Sequence, residues 1–178
     1  MHCGKHYTVG EVDYYCPDCG YEDGILDVEY DYDAAAKELN PAALRQSRTF
    51  SMWRYLPLLP VEEPYRIQHL QVGWTPLYDA VRLAPELGVA RLFVKDEGRN
   101  PTASFKDRAS AMGVVKALEK GADSITCAST GNAASSLAGF AAAAGLPATI
   151  FVPERAPQAK VAQLLVFGAR VVAVKGRY

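Results

Sequence analysis

The second half of the chain alternates short apolar runs with longer stretches of helical periodicity. The apolar runs predict strands at 90–95, 124–128, 148–152 and 170–174. The stretches of helical periodicity predict helices at about 105–120, 133–144 and 157–167, and a glycine follows each of them, as is typical of a helix C-terminus. Strands and helices in this order favour right-handed β-α-β units with a parallel sheet. Since the strands are apolar throughout, we predict an α/β fold with helices on both faces of the sheet.

The first half of the chain is less regular. We predict a strand at 25–30, a helix at 34–39, an extended connector through the prolines of 57–64 and a turn into a short extended piece at 73–77. The aromatic residues before the prolines, Trp53 among them, are expected to pack against the core rather than to line a ligand site.

Composition and charge narrow the class of protein. The chain has 178 residues, 49% hydrophobic and 22% charged, with a formal net charge of −1. Because no basic stripe accompanies this charge, nucleic-acid binding is disfavoured. No apolar stretch has the length of a membrane span, and the first residues lack the apolar run of a signal peptide. We therefore expect a soluble cytoplasmic protein without a membrane partner.

The cysteines are concentrated near the N-terminus. They are Cys3, Cys16, Cys19 and Cys127. Cys16 and Cys19 form a C-x-x-C turn whose thiolates can bind one zinc ion, with Cys3 as a third ligand and His6 or His2 as a fourth. Alternatively, a further cysteine preceded Cys3, or the C-x-x-C pair is simply reduced and binds no metal. Cys127, in a predicted buried strand, is expected to act as a small apolar residue.

A lysine stands at the start of the first predicted helix of the α/β region. Asn100-Pro101 predicts a turn, and the spacing of Ser104 and Asp107 predicts a capping box. Lys106 would then lie in the first helical turn, where the free N–H groups and the helix dipole disfavour a second positive charge. This position favours a neutral amine that can attack a carbonyl. The alternative is a solvated lysine without chemistry.

A second polar segment follows the strand predicted at 124–128. Ser129-Thr-Gly-Asn132 would lie at the carboxyl edge of the sheet, where hydroxyls and helix N–H groups can bind an anion. The segment is neither a dinucleotide fingerprint nor a P-loop. Asn132 could alternatively be only a helix N-cap. An imine-forming lysine and an anion site at one sheet edge together suggest pyridoxal phosphate (PLP) chemistry.

Several motifs resemble those of the threonine synthase family, whose members are fold type II PLP enzymes. Pro101-Thr-Ala-Ser-Phe-Lys-Asp-Arg108 resembles the family's PLP-lysine motif, and Ser129-Thr-Gly-Asn-Ala133 resembles its asparagine loop. Further similarity lies in Gly73-Trp-Thr-Pro-Leu77, in 156–160, in 167–172, and in a leader like a zinc ribbon. The resemblance covers nearly the whole chain. It implies a leader at 1–33, part of a large domain at 34–106 and a small α/β domain at 107–178, which ends before the family's C-terminal remainder.

The resemblance also implies roles for individual residues. Lys106 would hold PLP covalently and move protons, and Asn132 would hydrogen-bond the cofactor's 3′ hydroxyl. The substrate carboxylate would be bound by Ser129, Thr130, Gly131 and Ala133. The implied reaction converts O-phosphohomoserine and water to threonine and phosphate, in a protein that forms homo-oligomers.

The chain departs from the family pattern at three places. Ala103 stands where the family usually has glycine. Cys3 aligns with the second cysteine of a C-x-x-C pair whose first member is missing, which weakens the zinc prediction. The family's glycine-rich phosphate loop and the partner of its pyridine nitrogen lie later than Tyr178. Alternatives are therefore a sister enzyme, such as a cysteate synthase or a threonine dehydratase, or a zinc-binding module with an inactive α/β remnant.

Overall fold

The structure is a computed structural model and describes residues 3–176. Its helices are α1 (Gly20–Asp23), α2 (Tyr32–Glu38), α3 (Pro41–Gln46), α4 (Leu83–Glu86), α5 (Lys106–Glu119), α6 (Asn132–Ala143) and α7 (Gln158–Val166). Its strands are β1 (Leu77–Asp79), β2 (Phe93–Lys95), β3 (Ile125–Ala128), β4 (Ala148–Pro153) and β5 (Arg170–Val174). Short 3₁₀ helices cover Met52–Leu58, Pro64–Arg66 and Glu97–Arg99.

Strands β3, β4 and β5 form a parallel sheet in that order, as the apolar pattern predicts. Ile150 at the centre of β4 pairs with Cys127 on one side and Val171 on the other. Gly121, Gly145 and Gly168 follow the three long helices with φ values of +67°, +69° and +78°, which a residue with a Cβ adopts only at a cost. The glycines thus end each helix and turn the chain back towards the sheet.

The main core lies between this sheet and helices α5, α6 and α7. Phe140 of α6, Ile150 of β4 and Leu164 of α7 are almost completely buried. Helix α5 packs against α6, and its Val114 joins the same cluster. Trp53 and Cys127 pack against the edge of this core, in agreement with the packing roles predicted for them.

Strands β1 and β2 form a separate antiparallel pair that leads into the lysine turn. Leu77 pairs with Lys95, and Asp79 pairs with Phe93. The predicted strand at 90–95 is thus shorter than expected, because pairing begins only at Phe93. The pair lies between the turn at 73–77 and the 3₁₀ helix Glu97–Arg99, so it brings these two segments together.

One prediction for the first half is wrong, and another is confirmed only in part. The strand predicted at 25–30 is reduced to one bridge between Tyr15 and Ile25, since no neighbouring strand pairs with the following residues. The connector predicted at 57–64 contains no helix at 59–63, but its first residues belong to the 3₁₀ segment Met52–Leu58, which is kinked at Tyr55 and contains Pro57. Its fixed φ suits this tight helix. The division at 33 and 106 stays a prediction. Within residues 3–176, no helix is long and apolar enough to cross a membrane.

Candidate active site

Lys106 is the first residue of α5, and its side chain is exposed. The backbone N–H of Lys106 donates to Ser104 Oγ at 3.1 Å. Phe105 precedes the helix and makes no side-chain cap. The predicted helix start is therefore confirmed to within one residue, and Lys106 lies in the first turn of the helix.

The capping box predicted from Ser104 and Asp107 does not form. The carboxylate of Asp107 is fully buried and accepts hydrogen bonds from the backbone N–H of Thr102, at 2.7 Å, and from the Thr102 hydroxyl. The turn before the helix brings Thr102 over the helix start, so its donors take the place of the Ser104 N–H that a capping box would use. Asp107 thereby anchors the turn that precedes Lys106.

Ala103 lies in this turn with φ = +57°. This is the left-handed region, where a Cβ crowds the following carbonyl. The Ala103 N–H donates to the carbonyl of Asn100 at 2.8 Å, which closes the turn. The structure therefore gives a conformational reason why glycine suits this position.

A hydrogen-bonded network centred on Glu97 supports the same turn. Arg108, in the first turn of α5, donates from Nε and Nη2 to the two carboxylate oxygens of Glu97, both at 2.8 Å. The Thr75 hydroxyl donates to Glu97 at 2.7 Å, and the Asn100 amide donates at 2.9 Å. The hydrogen bonds from Arg108 are the main reason why the pKa of Glu97 falls to about 2.

The asparagine segment connects β3 to α6. Gly131 is the N-cap in extended conformation, and Asn132 is the first helical residue. The interpretation of Asn132 as an N-cap is therefore wrong, because its side chain bonds to no backbone N–H of its own helix. Its carboxamide is exposed. Ser129 Oγ accepts the Gly131 N–H at 3.2 Å and thereby shapes the turn.

The lysine turn and α6 are in direct contact. A Cβ placed on Gly139 of α6 would lie 2.8 Å from Cγ2 of Thr102. Only glycine therefore lets the turn approach the helix this closely without a shift. Through Thr102, the segment that carries Lys106 and the helix that begins at Asn132 pack as one unit.

A cleft of about 360 Å³ opens beside the turn before the lysine. It is lined by Gln71, Gly73, Trp74, Thr75, Pro76, Arg99 and Pro101. Neither Lys106 nor any residue of 129–133 is among these lining residues. Within residues 3–176, the lysine turn and the segment 129–133 are thus connected through the packing of Thr102 on α6. The two segments do not line this cleft together.

Three cysteines cluster near the N-terminus. The Sγ atoms of Cys3, Cys16 and Cys19 lie within 4.8 Å of one another, and those of Cys3 and Cys16 are 3.7 Å apart. Thiolates on one tetrahedral zinc, at about 2.3 Å from the metal, would be about 3.8 Å apart, so the spacing fits zinc. His6 does not belong to this cluster, since its Nδ1 pairs with Glu29 at 2.9 Å.

The thiols of the cluster differ in acidity. A hydrogen bond from the Tyr7 hydroxyl, at 3.0 Å, is the main reason why the pKa of Cys16 falls to about 7. The hydrogen bond with Cys3 is the main reason why the pKa of Cys19 rises to about 11. A thiolate on Cys16 is the form that binds a metal. His2, the other predicted ligand, lies outside the described residues.

Comparison with known proteins identifies the family. Residues 69–178 match the family described as pyridoxal-phosphate dependent enzyme. The chain belongs to this family. The resemblance to PLP enzymes is thereby confirmed, and so is the predicted α/β fold, because the matched residues include the lysine turn and the parallel sheet. The leader predicted at 1–33 lies outside the matched residues.

The most similar relatives include two threonine synthases. The chain is 44% identical over 180 residues to that of Methanosarcina acetivorans, which covers 100% of this chain and 42% of the relative. It is 43% identical over 177 residues to that of Methanocaldococcus jannaschii, again covering 42% of the relative. Among solved structures, the cysteine synthase of Entamoeba histolytica matches with a TM-score of 0.54 and 26% identity, over 58% of this chain and 33% of that one. The chain spans less than half the length of both threonine synthases.

Sequence reasoning missed the residues that support the lysine turn. Glu97 and Thr75 were not singled out, and Asp107 was given the wrong partner. The signal that could have identified Glu97 is weak: an acidic residue just after a strand and just before a proline turn. Only the folded chain shows that its carboxylate meets Arg108 and Thr75.

Proposed function

We propose that the protein is a PLP-dependent threonine synthase, which converts O-phosphohomoserine and water to threonine and phosphate. The observation that carries this proposal is the similarity to two threonine synthases along the entire chain, including the lysine turn. Similarity restricted to the α/β region would support only the broader enzyme family. Small amino acids are the substrate class in either case.

Lys106 is proposed to hold PLP through its amine. An exposed amine on the first residue of a helix can reach a cofactor and form a covalent bond with its carbonyl carbon. PLP, when bound, would supply an electron sink that makes the substrate's Cα–H acidic. The proposed role of the same amine in the reaction would be to take the proton from the substrate's Cα and to deliver one at Cβ.

The start of α6 is proposed to bind the substrate and the cofactor ring. The hydroxyls of Ser129 and Thr130 and the N–H group of Ala133 can donate to the substrate carboxylate at a helix N-terminus. The Gly131 N–H, which donates to Ser129 Oγ, would join them by turning from that oxygen to the substrate. The exposed carboxamide NH₂ of Asn132 can donate a hydrogen bond to the 3′ oxygen of PLP. These donors suit the substrate carboxylate and the 3′ oxygen of PLP, since a helix N-terminus favours negative charge.

Product analysis tests the proposed reaction. We would incubate the protein, produced from its complete natural reading frame, with PLP and O-phosphohomoserine, and measure phosphate and threonine. Equal amounts of both products, lost in Lys106→Ala, are expected. Formation of a 2-oxo acid from threonine would instead identify a dehydratase. Phosphate release that needs O-phosphoserine and sulfite would identify a cysteate synthase.

We also propose that Cys3, Cys16 and Cys19 hold a structural zinc ion. The 3.7 Å sulfur separation and the acidic Cys16 thiol support this proposal. The zinc content of the dialysed protein tests it, with about one ion per chain expected. Cys19→Ser should lose the metal, whereas Cys127→Ser, outside the cluster, should retain it. Equal zinc in both variants would contradict the proposal.

A further inference from the structure

Glu97 collects hydrogen bonds from three segments that surround the lysine turn. We propose that Glu97 is a positioning residue for Lys106: its carboxylate holds the turn and the first turn of α5 in the geometry from which the amine meets the cofactor. This inference rests on the proposed role of Lys106 in holding PLP. Glu97 itself would touch neither cofactor nor substrate.

The acceptor capacity of the Glu97 carboxylate is almost fully used. Oε1 accepts from Thr75 Oγ1 and Arg108 Nη2, and Oε2 accepts from Asn100 Nδ2 and Arg108 Nε, at 2.7 to 2.9 Å. The side chains of Glu97 and Arg108 are only 20% and 28% exposed. A two-pronged pair with this burial is geometrically specific as well as strong. The carboxylate therefore fixes the direction of each donor.

One route from Glu97 to the lysine passes through Asn100. Its carboxamide donates to both the side chain and the backbone carbonyl of Glu97, at 2.9 Å each. Its Oδ1 then accepts the Gly73 N–H at 2.9 Å, and its backbone carbonyl accepts the Ala103 N–H at 2.8 Å. The orientation of Asn100 thus determines where the turn before Lys106 lies.

The other route passes through Arg108, two residues after the lysine. Its guanidinium passes over Gly73, where a Cβ would lie 2.9 Å from Nη1. Because Arg108 belongs to the first turn of α5, the pair with Glu97 sets the orientation of that turn about the helix axis. Lys106 is therefore fixed from both sides, by Asn100 before it and by Arg108 after it.

Glutamine at position 97 would keep the size of the side chain but not this function. A carboxamide has one acceptor oxygen, and its NH₂ group would face the donors of Arg108 or Asn100. At least one donor pair is then left unmatched in a mostly buried place. The expected consequence is a turn that no longer holds one conformation, in a protein that remains folded.

Selective labelling of Lys106 tests the proposal. We would trap PLP on the full-length protein with borohydride at low PLP concentration and compare the adduct at Lys106 with that at exposed Lys160 by peptide mass spectrometry. The matched control is Glu63→Gln, since Glu63 also pairs with an arginine and accepts a tyrosine hydroxyl, away from the lysine turn. Wild-type protein in increasing urea calibrates how the ratio depends on the unfolded fraction.

Glu97→Gln is expected to lower the labelling ratio at least about tenfold, since misplacement by about 1 Å costs that much or more. Glu97→Asp, which keeps a carboxylate, should recover part of the ratio, and Glu63→Gln should leave it unchanged. In the absence of cofactor, the backbone amides of Gly73 and Ala103 should exchange hydrogen faster in Glu97→Gln than in wild type, and Glu63→Gln should show no such increase.

Three results would overturn parts of this account in distinguishable ways. If the ratio of Lys106 adduct to Lys160 adduct in Glu97→Gln stays within about twofold of wild type, Glu97 does not position Lys106. If the labelling ratio of Glu97→Gln falls only as far as the unfolded fraction of that variant predicts from the urea calibration, Glu97 contributes to stability alone. Absence of any preference for Lys106 in the wild type refutes the proposed role of Lys106, and the positioning role with it.

Discussion

Ala103 provides the sharpest test of the geometry around the lysine. Replacing it with glycine should stabilise the protein, although alanine-to-glycine changes normally destabilise. The reason is its φ of +57°, which places the alanine Cβ against the following carbonyl. A change this small, three residues before Lys106, reports on the backbone of the proposed site without touching its side chains.

The expected magnitude follows from two opposing effects. Relief of the left-handed conformation favours glycine by roughly 1–2 kcal/mol. The greater freedom of glycine in the unfolded chain costs about 0.4–1 kcal/mol. The side chain of Ala103 is exposed, so little packing is lost. We therefore expect the free energy of unfolding to rise by roughly 0.5–1 kcal/mol, which is a shift in melting temperature of about 1–4 °C for a chain of this size.

The assay is urea unfolding followed by circular dichroism, with a matched control in the neighbouring helix. Ala109→Gly makes the same chemical change at an exposed position inside α5, where glycine should destabilise by about 1 kcal/mol. The two variants should therefore shift the unfolding midpoint in opposite directions. If Ala103→Gly lowers the midpoint as Ala109→Gly does, the left-handed turn described here is wrong.

Two further predictions concern the elements that hold the turn. The pKa of Glu97 lies at about 2 in the folded chain, below its ordinary 4.5, so the stability it contributes is present above about pH 4.5 and is lost as the pH falls towards 2. Acid titration of the unfolding free energy should show a loss of roughly 3 kcal/mol in wild type that Glu97→Gln lacks, and equal slopes would count against the Arg108 pair. Gly139→Ala should destabilise by about 1–3 kcal/mol through contact with Thr102. Gly113→Ala in α5, where a Cβ meets no atom within 4 Å, should stabilise by roughly 0.5–1 kcal/mol, and the same sign for both glycines would refute the close approach at Gly139.

The parallel sheet and its helices could be predicted because their signals are local. Continuous apolar runs mark β3, β4 and β5, and glycines with positive φ end the helices between them. The start of α5 was predicted from the spacing of Ser104 and Asp107 and lies within one residue of the predicted place, although the capping box itself does not form. Each of these features depends on neighbours in sequence, so one sequence is enough to reveal it.

The details of the candidate site depend on tertiary contacts instead. Spacing suggested that Asp107 caps its own helix, but the folded turn offers Thr102 as a better partner. Glu97 joins Thr75 and Arg108 only because β1 and β2 pair and bring their flanking segments together. The left-handed backbone at Ala103 runs against the preference of alanine, so no propensity rule could predict it.

The measurement closest to the central claim is a covalent trap of the cofactor. The protein would be incubated with PLP at low concentration, reduced with borohydride, and the modified peptide mapped by mass spectrometry beside Lys106→Ala. We expect one dominant adduct on Lys106 that is absent from the variant. Adducts spread over exposed lysines in equal yield, or a dominant adduct elsewhere that persists in Lys106→Ala, would contradict the account.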